Sequence, residues 1–168
     1  MQSPTKARIS TATIAHIALL TSLALIFSYV EAIIPYNPGI PGIKLGIANI
    51  VVIVALYKYS WQEAACINAL RVVIAGLLFN GMFGMLYALA GALVSFVIIL
   101  ILKKTGKFSV IGVSMAGGVF HNLGQLLVAA ALIEDVRIFF YFPVLLFSGI
   151  VCGIAIGVAG TLILRALK

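Results

Sequence analysis

The chain has 168 residues, 64% of them hydrophobic and 9% charged, with a formal net charge of +7. Soluble domains carry about 25% charged residues, so a water-soluble fold is excluded and a membrane protein with several spans is expected. The basic residues stand at the ends of apolar runs, which argues for membrane topology and against nucleic acid as a partner.

The first apolar run covers about 12–34 and stops at Pro35. It follows Lys6 and Arg8 but is too long for the apolar part of a signal peptide, and no small-residue cleavage site follows it. The stretch PYNPGIPGIKLG (35–46) packs three prolines and three glycines into twelve residues, so an irregular loop is expected there. A second run over about 46–58 is short for a bilayer core of ~30 Å. It begins deep in the membrane or recruits the loop, which then dips inward as a lid or site wall. Further runs cover about 62–80, 82–102, 109–133 and 140–164, interrupted by KKTGK (103–107) and EDVR (134–137).

These runs predict an all-α fold of six transmembrane helices in a single membrane domain over 1–168. With both termini in the cytoplasm, the inner face collects Lys6, Arg8, Lys58, Lys103, Lys104, Lys107, Arg165 and Lys168. The outer face then holds Lys44 and Arg137 beside Glu134 and Asp135. The opposite orientation reverses the positive-inside bias.

Several polar residues interrupt the apolar runs. Arg71 sits near the middle of the third run, where an arginine costs about 2.5–3.5 kcal/mol even on the lenient insertion scale. His121 and Gln125 share one face of the fifth run, with Asn122 one step round. Asn49 is in the second run, and Asn68 precedes Arg71 by one helical turn. Two readings fit these residues. In the first, Arg71 pairs with Glu31 and the amides bridge helices. In the second, a polar cavity binds a solute with anionic or carbonyl groups: Arg71 and Lys44 supply charge, and His121, Asn122, Gln125 and Asn49 supply hydrogen bonds. Cys66 and Cys152 read as small core residues. Glycines 149, 153, 157 and 160 form one stripe on the sixth run, fit for close packing inside the bundle.

No nucleotide-binding loop, zinc-protease motif or nucleophile elbow is present. Asp135 is the one aspartate, so aspartate-rich sites that hold diphosphates through magnesium are absent. No metal site and no cofactor are expected, and catalysis by this chain alone is not expected either.

The stretches PGIKLGIAN (41–49), ALRVVIAGLLF (69–79), LYALAGALVS (86–95) and IGVSMAGGVFHNLGQLLVAA (111–130) resemble the Gx transporter family, also labelled heptaprenyl diphosphate synthase component I. That family is similar to the substrate-binding S components of energy-coupling factor transporters. The resemblance implies a bacterial cell-membrane protein that captures a small vitamin-like or precursor metabolite from outside. It implies as partners a coupling transmembrane subunit and two ATPases, with Ala15, Ala18 and Ser22 of the first helix docking onto the coupling subunit. It further implies that loop 35–45 caps the solute. The family's second label leaves an alternative: a non-catalytic membrane accessory to heptaprenyl diphosphate or menaquinone side-chain synthesis.

Overall fold

A computed structural model describes residues 10–34 and 45–167. The described residues form six α-helices and no strands: α1 (Thr11–Ile33), α2 (Ala48–Lys58), α3 (Trp61–Ala75), α4 (Gly81–Thr105), α5 (Val110–Ile133) and α6 (Phe142–Ala166). A π-helical segment, Gly76–Asn80, extends α3, and a 3-10 segment, Val136–Tyr141, precedes α6. The helices lie where the apolar runs fall. Most of the Pro/Gly stretch, with Lys44, lies outside the described residues.

Local chemistry sets the ends. Ser10, Ser60 and Ser109 cap α1, α3 and α5, each accepting the backbone N–H three residues on. At α3 the Ser60 hydroxyl also donates to Glu63 Oε1 at 3.1 Å, so serine and glutamate brace the first turn together. Gly106, in the left-handed region, closes α4. At the turn after α5, Arg137 donates to Asp135 through side chain and backbone, which holds that carboxyl below its usual range.

Four helical stretches are long and apolar enough to cross a membrane: Thr11–Ile33, Trp61–Thr105, Val110–Ile133 and Val136–Ala166. The second is not one rod. At Gly81 the backbone takes φ 69° and ψ 174°, a conformation almost reserved for glycine. Gly76 then packs against Met85, residues that one continuous helix would hold about 13 Å apart at 1.5 Å per residue. The chain therefore folds back at Asn80–Gly81. Large apolar side chains point outward along the long helices, among them Leu19, Leu93 and Phe147, each more than two-thirds exposed. An aqueous surface does not carry so much apolar area, and these helices mark a multi-pass membrane protein.

The short helix α2 is the centre. Val51 to Leu56 are all buried, as is Ala48, and α2 touches α1, α3 and α6. A helix apolar on every side is stable only when surrounded, here by other helices. Its 11 residues span about 16 Å, roughly half a bilayer core. Around it α4, α5 and α6 pack as an antiparallel layer. Gly149, Gly153 and Gly157 of α6 meet the backbones of Gly118, Met115 and Ile111 on α5. A β-carbon at any of the three would collide with that backbone, so the glycine stripe packs inside the bundle as its spacing predicts.

Two lysines tie one end of the bundle together. Lys58 Nζ donates to the Leu167 carbonyl at 2.7 Å, and Lys103 Nζ donates to the Leu56 carbonyl. Each satisfies a carbonyl at a helix C-terminus and places positive charge at the negative end of the helix dipole.

Candidate functional site

A cavity of about 360 Å³ opens among all six helices, with α4 contributing Ala88. Its wall includes Asn49 of α2, Arg71 of α3, and His121, Asn122 and Gln125 of α5. All five were singled out in the sequence, and the fold brings them together. Lys44 lies outside the described residues. The cavity draws on the C-terminal halves of α1 and α3 and the N-terminal ends of α2 and α4. It therefore occupies the half of the bundle opposite the Lys58–Leu167 and Lys103–Leu56 contacts.

Arg71 is the wall's one described cation, and it is 9% exposed. Its Nη2 donates to Asn49 Oδ1 at 3.0 Å and to Asn68 Oδ1 at 2.8 Å. Asn68 lies one turn before it on α3, and Asn49 lies in the first turn of α2. These amides orient the guanidinium but carry no charge to neutralise it. Its Nε is sealed from solvent and has no hydrogen-bond partner. Glu31 shares the same wall, yet the two make no ion pair. Among the described residues the one salt bridge is Arg137–Asp135, on the surface. Arg71 and Glu31 therefore stand close enough for their charges to act on each other without a direct ion pair. The Glu31 carboxylate is engaged elsewhere: its Oε1 accepts the backbone N–H of Ile47 at 3.0 Å, at the entry to α2. A carboxylate there meets free N–H groups and the positive end of the helix dipole.

His121 and Gln125 owe their places to Gly91 on α4. A β-carbon there would lie 3.0 Å from His121 Cε1 and 2.9 Å from Gln125 Cγ, so glycine leaves the room that both side chains use. Asn122 is turned toward α6, where its Nδ2 donates to the Leu145 carbonyl at 2.7 Å. It therefore bridges two helices while it lines the cavity. A smaller hollow of about 30 Å³ continues inward, lined by Asn49, Asn68, Ser95, Ser114 and His121 among others. That is about the share of liquid volume held by one water.

The wall also contains residues that sequence reasoning left out of the site. Glu31 was read only as a partner for Arg71. Ser28, Asn80, Ser148 and Cys152 were not named as ligands. Spacing could have found three of them, since Ser28 and Glu31 stand three apart on α1, and Ser148 and Cys152 stand four apart on α6. The Asn80–Gly81 dipeptide is a turn signal. The cysteines need correction as well: Cys66 is exposed on α3, and Cys152 is half-buried in the cavity wall. A thiol is apolar enough to sit outside a core without penalty in a hydrocarbon setting. On α1, Ala15, Ala18 and Ser22 are all exposed, and no described helix covers them.

Apolar helices closed around a charged, polar hollow define the class: a multi-pass helical membrane protein with an internal cavity in one half. The chain belongs to the heptaprenyl diphosphate synthase component I family, whose model matches residues 20–163. No curated protein and no solved structure was found to match it.

Proposed function

We propose that this protein is the substrate-binding, S-component-like subunit of an ATP-driven uptake transporter, taking a small metabolite with an acceptor-rich group. The reading rests on one observation: a cavity of about 360 Å³ into which Arg71 brings a charge that forms no ion pair with any described carboxylate. Burying a cation without an ion-pair partner is costly, and a resident anionic or acceptor-rich group recovers that cost. His121 and Gln125 orient the solute beside it.

In this reading the chain crosses the cell membrane six times, with both termini in the cytoplasm. The lysine-tied end faces the cytoplasm, in keeping with the positive-inside rule. The cavity then faces outward, as uptake requires. Ala15, Ala18 and Ser22 offer the coupling subunit a face of small residues, and ATPases on partner chains supply the energy.

Native mass spectrometry of the gently purified chain tests this. A co-purifying small mass is expected with the wild type and is expected to be lost in Arg71→Ala protein that keeps its helical circular dichroism. A wild-type chain that carries no small molecule, from cells grown in rich medium, contradicts the reading.

A further inference from the structure

Two opposite charges line the cavity and do not meet. Arg71 spends Nη2 on two neutral amides, and Glu31 spends Oε1 on a backbone N–H. Apart from the His121 imidazole and the Cys152 thiol, no other ionisable side chain among the described residues lines this wall. The formal charges cancel in sum but not in place, so the hollow carries a fixed dipole running from α1 to α3. In a water-poor interior such a field is weakly screened. A simple anion would satisfy Arg71 and be repelled by Glu31, and a simple cation would do the reverse. A molecule with its own charges set in the opposite sense satisfies both.

The remaining wall sets size and character. The volume of roughly a dozen waters suits a molecule in the range of a free amino acid. Ile34, Phe79 and Ile156 give apolar surface for a carbon skeleton, and Ser148 and Gln125 offer hydrogen-bonding groups.

We propose that the solute is a small zwitterion of the amino acid class, with its carboxylate against Arg71 and its ammonium against Glu31. This rests on the cavity being a solute site, and it narrows that reading from an acceptor-rich metabolite to one that carries both charges.

The test uses the full chain in lipid nanodiscs. Thermal unfolding and native mass spectrometry are run with the free L-amino acids as probes, each beside its N-acetyl and C-amide forms. At least one free amino acid is expected to bind and raise the melting temperature, with affinity falling at least tenfold in both blocked forms. In Glu31→Gln the side-chain oxygen still accepts from Ile47, and the preference for the free amine over the N-acetyl form is expected to vanish. Equal binding of the free and N-acetyl forms by the wild type would overturn the zwitterion and leave an anion site, with the transport reading intact. So would an unchanged preference in Glu31→Gln. If no amino acid binds in any form, the zwitterion fails. The solute-site reading falls with it only if the purified wild type also carries no co-purifying mass.

Discussion

Arg71 reaches mid-bundle only because Asn49 and Asn68 meet the same Nη2 atom. A hydrogen bond to a charged group contributes about 1.5–3 kcal/mol, so Asn68→Ala is expected to destabilise the chain by about that amount. Reversible unfolding in bicelles measures it, and an unchanged midpoint would mean the guanidinium finds other partners. Asn68→Asp places a carboxylate against Nη2 instead. It is expected to keep the fold and weaken binding of any acceptor-rich solute, read as loss of the co-purifying mass. At this scale the legibility of the site follows the cost of each side chain. Arg71, His121 and Gln125 stand out in an apolar run because each is expensive there. Ser28, Ser148 and Cys152 are cheap in apolar helices, since a hydroxyl can bond its own helix and a thiol needs no partner, so their type gives no signal and only their spacing points to the site. Ser28 shows this directly, donating to the Ala24 carbonyl one turn back. The role of Glu31 was hidden because its partner is a backbone amide sixteen residues on, and residue type says nothing about that.

Helix packing separates glycines that look alike in the sequence. At Gly153 an added β-carbon would press on the backbone of Met115 and Ser114, which cannot yield. At Gly112 it would meet Ser109 and Phe108 at ordinary contact distances of 3.7–3.9 Å. Gly153→Val is therefore expected to part α5 from α6 and lower the melting temperature sharply, while Gly112→Ala leaves it near the wild-type value. Similar midpoints for the two variants would contradict the close backbone approach. Gly81 is a third case, with open space around it but a backbone that L-residues avoid. Gly81→Ala is expected to cost about 1–3 kcal/mol through strain alone, and bicelle unfolding would show it. The α6 stripe was legible because small residues four apart share a face. The fold-back at Gly81 was legible as a break between apolar runs. The π-helical turn before it was not, since GLLFN reads as ordinary helix. Its register depends on Gly76 meeting Met85 across the turn and on the Asn80 amide donating to the Ala75 carbonyl.

Across the whole molecule, the lysine-tied end and the cavity sit opposite each other. Lys58 and Lys103 close one end by capping helix carbonyls, and the hollow lined by Arg71 and Glu31 opens in the other half. The central burial of α2 makes this division possible. The helix is too short to cross a bilayer core, and Asn49, Glu31 and Arg71 converge near its N-terminus. The shortness of the second apolar run was readable from residue counts. The depth of its surroundings was not, because an apolar run looks the same against lipid and against protein. The central claim is that this hollow is wet and reached from outside the cell. Cys152 in its wall tests that most directly once the exposed Cys66 is changed to serine. A small, membrane-impermeant methanethiosulfonate is added to intact cells and, separately, to inside-out vesicles. The account predicts modification of Cys152 from the outer side and protection from the inner. Modification only from the inner side, or none from either side while the denatured chain reacts fully, would contradict it.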